Sequence, residues 1–371
     1  MISVISKTIM VLKHSRSTFI AILIAFGFSS GMSAQAAPIA QSSVESQQIF
    51  LPLIQMPSLS GRIAFLSSEE PGQSLRVFDA KTNTLSPAIR NDCITNPENP
   101  VWSPDGTHLI IANRVGTGDR SLCRMSADGT DTVHLTGSGI DPVWSPDGTH
   151  IAFTGRGIDL FDPLRSDIFV VSADGTQHRP LTEDPASDSD PVWSPDSTQI
   201  AFSTDREGPS RIYLMAADGT GQTRLTATEG QHLWPRWSPD SQLIAFVSRA
   251  GGDTLYTVKP DGSELTQLTS KASISELRWS PDGQHLAFVG EGQLWLIGRD
   301  GTGLRSVTPI ASRGGSQNSS YAWSPDGHAF VFEAESETIG PMAIIRTDGT
   351  RLRFITTGRF DMDPAWTSGS R

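Results

Sequence analysis

The sequence predicts an all-β fold, a seven-bladed β-propeller of four-stranded antiparallel blades. A Trp-Ser-Pro-Asp motif recurs along the chain, successive motif tryptophans are 42 to 49 residues apart, and no helical periodicity accompanies the repeat. A period in the low forties with several short β-type runs per unit is typical of propeller blades. The motif begins at Trp102, Trp144, Trp193, Trp237, Trp279 and Trp323. We expect these tryptophans to form core between neighbouring blades.

The beginning of the 371-residue chain has the pattern of a secretory signal peptide. Lys7, Lys13 and Arg16 precede an uncharged, mostly apolar run, and Ala34-Gln35-Ala36 provides a small-residue cleavage site. These are the three regions of an export signal. We therefore predict a signal peptide over residues 1–36 and a periplasmic or secreted location.

The charge balance restricts the partners. Lys and Arg total 29 against 40 Asp and Glu, for a formal net charge of −11, and the sequence has no basic stripe. We therefore expect neither nucleic acid nor an anionic membrane surface as a partner. The negative net charge favours a partner of basic character. Because an exported protein folds under oxidising conditions, we predict that Cys93 and Cys123 form a disulfide.

Residues 37–60 are predicted to be a linker with an apolar patch, Ile49-Phe50-Leu51-Pro52-Leu53-Ile54. Proline excludes a regular helix there. Two interpretations stay open: a strand-like segment against the outside of the main body, or a peptide that docks in a groove or on a partner.

Each repeat unit contains two kinds of turn. A Ser-Pro-Asp-Gly sequence after each motif tryptophan fits a type I turn whose fourth residue has positive φ. Ser197 and Ser241 replace that glycine in two units, and we expect both serines in a left-handed conformation. The second turn, between a third and a fourth strand, is an Asp-Gly pair at Asp128, Asp174, Asp218, Asp261, Asp300 and Asp348.

The two ends of the repeat region are incomplete in complementary ways. Residues 61–66 resemble a second strand without a preceding tryptophan strand, and the segment ending in Trp366 resembles a first strand without successors. Together they predict one composite blade that closes a propeller over residues 61–368. Such closure leaves no long exposed sheet edge.

These repeats closely resemble the TolB-type propeller. The resemblance is carried by Trp-Ser-Pro-Asp-Gly, by Ile-Ala-Phe runs as at Ile200-Ala201-Phe202, and by Ala217-Asp218-Gly219-Thr220 followed by Leu225-Thr226. It implies a periplasmic scaffold that binds other envelope proteins. The separate domain that precedes the propeller in the best-known member is expected to be missing here. Similar propellers also accompany prolyl-oligopeptidase-type hydrolases and form the body of some pectin-fragment lyases, so fold alone does not decide function.

Candidate binding residues lie three positions before each tryptophan, at the start of the innermost strands. The variable connections between second and third strands and between blades emerge on this same face, which predicts the binding side. The seven positions hold Asn99, Asp141, Asp190, Trp234, Glu276, Ser320 and Asp363. We predict binding at Asp141, Asp190, Trp234, Glu276 and Asp363, with calcium or a cationic peptide group at Asp141, Asp190 and Asp363. The alternative is that these acids only open each strand beside a proline.

No catalytic residue is predicted. The sequence lacks a Gly-x-Ser-x-Gly elbow, a His-Glu-x-x-His motif and a phosphate-binding loop. His232, Arg236 and Arg278 are the only histidine and arginines near the acids. The expected function is a non-catalytic scaffold that binds a protein or peptide through its variable-loop face. The alternative is a metal-assisted polysaccharide lyase or hydrolase acting at the mouth of the channel.

Overall fold

The computed structural model describes residues 59–68, 72–115, 119–156, 165–271, 273–309, 321–334, 340–356 and 361–367. These residues form seven four-stranded antiparallel sheets, which are the blades of a β-propeller. The predicted all-β, seven-bladed fold is confirmed. The described part of the chain contains no helix of the length and hydrophobicity needed to cross a bilayer.

The strands follow one another from the channel outwards within each blade. The composite blade contains β1 (Arg62–Ser67), β2 (Ser74–Asp79), β3 (Thr84–Leu85) and, as its innermost strand, the last strand of the chain. Blade 1 contains β4 (Pro97–Trp102), β5 (His108–Val115), β6 (Asp119–Ser126) and β7 (Val133–Thr136). Blade 2 contains β8 (Ile140–Trp144), β9 (His150–Arg156), β10 (Ser166–Ser172) and β11 (His178–Pro180). Blade 3 contains β12 (Asp188–Trp193), β13 (Gln199–Thr204), β14 (Arg211–Ala216) and β15 (Thr223–Arg224).

The remaining blades repeat this order. Blade 4 contains β16 (Gln231–Trp237), β17 (Ile244–Arg249), β18 (Asp253–Val258) and β19 (Thr266–Lys271). Blade 5 contains β20 (Ser275–Trp279), β21 (His285–Gly290), β22 (Gln293–Gly298) and β23 (Arg305–Pro309). Blade 6 contains β24 (Tyr321–Trp323), β25 (Ala329–Glu333), β26 (Met342–Arg346) and β27 (Arg353–Phe354). The last strand is β28 (Asp361–Thr367).

The ring closes as the sequence predicts. Strand β28 pairs antiparallel with β1, with Ile63 opposite Trp366 and Ala64 opposite Ala365. The Trp366 indole N–H also donates to the carbonyl of Ser60, 3.0 Å away. The two ends of the repeat region therefore share one sheet.

The hydrophobic core is divided among the blade interfaces. Phe153 and Trp144 of blade 2, for example, pack with Ile110 and Leu122 of blade 1. The six motif tryptophans are buried, with 6 to 9% of their surface exposed, whereas Trp366 is partly buried. The prediction that the tryptophans are core is confirmed for these residues. A tryptophan-to-alanine change at a buried site typically costs about 3 to 5 kcal/mol.

Several indole N–H groups also connect one blade to the preceding one. Trp279 donates to the carbonyl of Arg236 at 3.0 Å, and Trp102 donates to the carbonyl of Ala365 at 3.1 Å. A buried indole usually finds such an acceptor, although the indole N–H groups of Trp193, Trp237 and Trp323 have none within the described residues. At Trp102, Trp144 and Trp279 the motif tryptophan therefore joins neighbouring innermost strands as well as filling the core.

The tight turns have the predicted conformation in every blade that carries the motif. Ser197 has φ 61° and Ser241 has φ 59°, close to Gly148 at 72° in the same turn of blade 2. The motif serine accepts the hydrogen bond that closes the turn, and its hydroxyl donates to the aspartate two residues later, as in Ser238 to Asp240 at 2.5 Å. Both serine positions are thus left-handed.

Cys93 and Cys123 form the predicted disulfide. Cys123 lies on β6, Cys93 lies in the connection that enters blade 1, and both are fully buried. Closing a loop with a sequence separation of 30 residues stabilises the fold by about 3 to 4 kcal/mol in the chain-entropy model. The disulfide therefore fastens the first inter-blade connection to blade 1.

Two predictions of chain organisation lie outside the described residues. They are the signal peptide over residues 1–36 and the linker up to residue 58. Both stay predictions.

Candidate functional site

The candidate site is built on a β-bulge that recurs at the start of the innermost strands. The pairing of β4, β8, β12, β16, β20 and β28 with the neighbouring strand shifts register close to the residue three positions before the tryptophan. That residue has positive φ in every one of these strands: Asn99 (47°), Asp141 (51°), Asp190 (55°), Trp234 (57°), Glu276 (51°) and Asp363 (53°). Bulges redirect side chains and disrupt the ladder locally. The predicted site residues thus share one special backbone position.

The innermost strands border the channel of a propeller. The five predicted binding residues all lie on these strands, so the structure places them around the same opening. The sixth comparable position, Asn99, lies there too, whereas Ser320 is outside the described residues. The variable connections join the same ends of the strands, because strand direction alternates within each blade.

Asp141 is the most unusual carboxylate of the group. Its side chain is exposed, yet protein surrounds it closely enough that burial, followed by the charge of Asp190, raises the pKa of Asp141 to about 6. Within the described residues it has no hydrogen-bond donor and no ion pair. A position that lines a channel combines both properties, because water reaches the side chain while protein surrounds it.

Asp190 and Asp363 each accept a hydrogen bond. The main-chain N–H of Asn99, in the next blade, donates to Asp363 Oδ2 at 3.3 Å, and the Ser189 hydroxyl donates to Asp190 Oδ2 at 3.3 Å. Burial nevertheless raises the pKa of Asp190, while the nearby guanidinium of Arg236 opposes that rise. Asp363 therefore connects two adjacent innermost strands, which is a structural role in addition to any binding role.

Trp234 and Glu276 are partly buried at the equivalent positions of blades 4 and 5. The guanidinium carbon of Arg249 lies 4.6 Å from the centroid of the Trp234 ring, which is a cation–π contact. Glu276 Oε2 lies 3.1 Å from Nη2 of Arg278. Both side chains are therefore engaged by arginines.

Arg236 and Arg278 join the acids at this opening, although neither was predicted as a site residue. Burial lowers the pKa of Arg236. The charges of Asp190, Glu276 and Asp141 raise this pKa, and the charge of Arg278 lowers it. Charges from three other innermost strands therefore act on one guanidinium. The signal in the sequence was available: both arginines directly precede a motif tryptophan, where the other blades carry valine or alanine.

The predicted calcium ligands do not form a compact cluster in this conformation. Among the described residues, three potential ligand atoms approach within 4.8 Å of one another only at Cys93, Cys123 and His134, where the two sulfurs are joined as a disulfide. Asp141 and Asp190 are close enough to raise the pKa of Asp141, and the charge of Asp363 acts on Arg278. Calcium at Asp141, Asp190 and Asp363 stays a prediction.

His232 is sealed into blade 4. It is fully buried, its Nδ1 lies 2.7 Å from Thr226 Oγ1, and its Nε2 lies 2.9 Å from Thr228 Oγ1. Burial lowers the pKa of His232 to about 4, so the ring is neutral at pH 7. Its geometry is that of a core residue.

Comparison with solved structures shows what this fold is similar to. TolB from Acinetobacter baumannii has a TM-score of 0.51 and 18% identity, with 82% of each chain covered. An oligogalacturonate lyase in complex with manganese has a TM-score of 0.62 and 17% identity, over 76% of this chain and 85% of that one. A puromycin-hydrolyzing peptidase from Mycobacterium tuberculosis has a TM-score of 0.58 and 16% identity, over 80% of this chain and 54% of that one.

At these identities the likeness shows a common fold and leaves the activity undetermined. No curated protein matches the sequence. The model of the TolB beta propeller domain family matches residues 160–253 and 225–371, which is more than half of the chain. With the seven-bladed ring and the repeated motif described above, this match shows that the chain belongs to the TolB β-propeller domain family.

Proposed function

We propose that this propeller is a non-catalytic, exported scaffold that binds a protein or peptide partner at the channel opening on its variable-loop face. The observation that carries the proposal is the convergence of charged residues on the recurrent bulges of the innermost strands. Asp141 supports it most directly, since its exposed carboxylate has no hydrogen bond and no ion pair among the described residues and only the more distant charges of Arg236 and Arg120 attract it. A cationic group of a peptide would supply that ion pair.

The backbone at these positions supports the same function. A non-glycine residue in the left-handed region costs about 1 to 2 kcal/mol. Here that conformation recurs at six equivalent positions of the innermost strands. Strain of this kind is often found at binding sites, where the surrounding structure maintains it. Its recurrence also fits a purely structural role in the repeat, so binding has to be tested directly.

The partner test is a crosslinking pull-down from an envelope fraction with the intact propeller, repeated with the double variant Asp141→Asn, Asp190→Asn. We expect a protein that the wild type captures and the double variant loses, while Asp300→Asn, on an Asp-Gly turn of the opposite face, retains it. Capture that is identical for the wild type and both variants would contradict binding at the channel opening.

We propose calcium as a second occupant of the same acids. Carboxylate oxygens are suitable calcium ligands, and Asp141 and Asp190 would gain a counter-ion for charges that now repel each other. Calorimetric titration should give a heat of binding for the wild type and a much smaller one for Asp190→Ala, with Asp300→Asn unchanged. No heat and no shift of the melting temperature in the wild type would end the calcium proposal.

The alternative is a metal-assisted lyase or hydrolase acting on a polysaccharide. It is kept because one similar structure is an oligogalacturonate lyase in complex with manganese. Incubation with oligogalacturonate and manganese, followed by the ultraviolet absorbance of an unsaturated product, tests it. Turnover that depends on manganese and disappears in Asp190→Ala would favour the enzyme over the scaffold.

A further inference from the structure

The residue that directly precedes the motif tryptophan differs in two adjacent blades. In the other blades this position is valine or alanine: Val101, Val143, Val192, Ala322 and Ala365. Val101, Val143 and Val192 pack against the apolar cluster of the following blade interface. Blades 4 and 5 carry Arg236 and Arg278 instead. The packing of the repeat requires a small apolar residue here, so it does not explain two neighbouring arginines.

Arg236 is a partly buried cation that forms no ion pair with a carboxylate among the described residues. Its Nε donates to the carbonyl of Leu277 at 3.1 Å, and its Nη1 donates to the carbonyl of Pro235 at 2.9 Å. No ion pair with N···O of 4.0 Å or less involves Arg236 among the described residues. The charges of Asp190, Glu276 and Asp141 act on Arg236 without direct contact, and carbonyl acceptors compensate only in part for removing a guanidinium from water. An incoming anion would therefore gain more from this residue than from a surface arginine.

Arg278, next along the ring from Arg236, uses only part of its hydrogen-bonding capacity. Its Nη2 contacts Glu276 at 3.1 Å, and its guanidinium lies over the Tyr321 ring at 5.6 Å from the centroid. The Arg278 side chain is still 42% exposed. A guanidinium carries five N–H donors in a planar fork that matches a carboxylate. The contacts described leave part of that fork exposed to solvent.

The two guanidinium groups also affect each other. After burial and the opposing charge of Asp190, the charge of Arg278 lowers the pKa of Arg236. A carboxylate that contacts both groups would offset this repulsion, as a bidentate partner does in arginine clusters that recognise acidic groups. The acids of blades 2 and 3 lie next in the ring, with Asp190 on the strand before Arg236.

We propose that Arg236 and Arg278 form a carboxylate subsite beside the acidic positions Asp141 and Asp190. This inference rests on the proposed peptide-binding function. The bound peptide therefore carries an acidic side chain or a C-terminal carboxylate next to its basic group, although the net charge of the whole protein favours a basic partner. Trp234 favours a peptide over a sugar as the ligand. Arg249 lies over its ring, and the ring packs against the apolar core between blades 4 and 5, so the ring is not free to stack on a sugar.

The test measures binding of three pools of synthetic peptides, equal in length and blocked at both ends, that are rich in Lys, rich in Glu, or rich in both. We expect the mixed pool to bind the wild type most tightly. Replacing each arginine by the residue of the other blades, in Arg236→Val and Arg278→Val, should weaken mixed-pool binding about ten- to hundredfold and leave the Lys-rich pool unchanged or tighter. Arg299→Gln removes a charge from the opposite face and should bind as the wild type does.

The outcomes separate the subsite from the proposed function. If the Lys-rich pool binds the wild type as tightly as the mixed pool, and the valine variants behave like wild type, the carboxylate subsite is wrong and the peptide scaffold stands. If no pool binds the wild type, the scaffold proposal itself is wrong. Tight binding of a uronic acid oligosaccharide that the valine variants lose, without peptide binding, would assign the arginines to a sugar ligand and overturn the peptide subsite.

Discussion

The channel opening is built from single residues whose backbone is strained in the same way. Asp141, Asp190 and Glu276 all have φ between 51° and 55°. Their side chains differ in environment: Asp141 is exposed without a hydrogen bond, Asp190 is hydrogen-bonded, and Glu276 forms an ion pair. The backbone of the repeat determines the position and direction of the Cα–Cβ bond of these residues. The neighbouring charges determine how each of them titrates.

We predict that Asp141→Asn changes how the stability of the protein depends on pH. The folded-state pKa of about 6 lies above the unfolded value near 3.9, so the folded state binds more protons and wild-type stability falls as pH rises from 4 through 6. Asparagine does not titrate. We expect the variant to be more stable than wild type at pH 7, by about 1 kcal/mol or less because water reaches the side chain. This advantage should disappear as the pH is lowered to 4, as measured by denaturant unfolding.

Asp174→Asn provides a control of opposite sign. Hydrogen bonds from the main chain and hydroxyl of Thr176 lower the pKa of Asp174 to about 2 on an exposed turn. Its contribution is present above pH 4 and is lost as the pH falls towards 2, so this variant should be less stable than wild type at pH 7. If Asp141→Asn shows the same pH trend as Asp174→Asn, Asp141 is not in a desolvated position.

At the scale of the element, the tight turn between the first and second strands tolerates two residue types in one conformation. Glycine occupies the left-handed position in four blades and serine occupies it in two, with φ values within a narrow range. The rest of the turn is unchanged, because Ser194 and Ser238 keep their hydrogen bonds to the aspartate of the motif. The conformation therefore belongs to the turn, and serine adopts it at a cost.

Ser241→Gly should stabilise the protein by about 0.5 to 1 kcal/mol, since relief of left-handed strain exceeds the extra entropy of glycine in the unfolded chain. Ser197→Gly should gain less, because Ser197 Oγ accepts a hydrogen bond from the main-chain N–H of Asp147 at 3.1 Å. Thermal unfolding measures both. The reverse change Gly148→Ser is the matched control, since open space surrounds Gly148 and only the backbone opposes the substitution. A lower melting temperature for both glycine variants would contradict the turn assignment.

At the scale of the whole molecule, stability depends on the pairing of the first and last described strands. The interface of the composite blade with blade 1 joins Ala64, Leu66 and Leu75 to Trp102 and Cys123. The innermost position of that blade is held by β28, which pairs with β1 and completes the fourth strand of the blade. The disulfide lies at this same interface.

Deleting the chain from Asp361 onward should therefore cost far more stability than removing a surface tail. It exposes the edge of β1 and removes the acceptor carbonyl of Ala365 for the Trp102 indole. We expect a large fall in melting temperature or loss of cooperative unfolding by calorimetry. Deleting only residues 368–371 leaves β28 intact and should have little effect. A truncated protein with the wild-type melting temperature would contradict closure by the composite blade.

Much of this architecture could be predicted from the repeat. The motif spacing predicted the blades, the two incomplete ends predicted the pairing of Ile63 with Trp366, and the two cysteines predicted the disulfide. These features follow from local chemistry, because turn conformation and strand alternation depend on residues close together in sequence. Even the left-handed serines could be predicted from the turn type alone.

What the repeat alone determined is therefore the ring, its closure and the positions that border the channel. Only the tertiary structure decided which side chains act on one another there: Arg236 joins the acids, while His232 is sealed into blade 4. The physical reason is that such contacts join residues of different blades or opposite sides of one strand. Their distances depend on how the bulges direct each side chain and on how closely the blades pack, which no local pattern specifies.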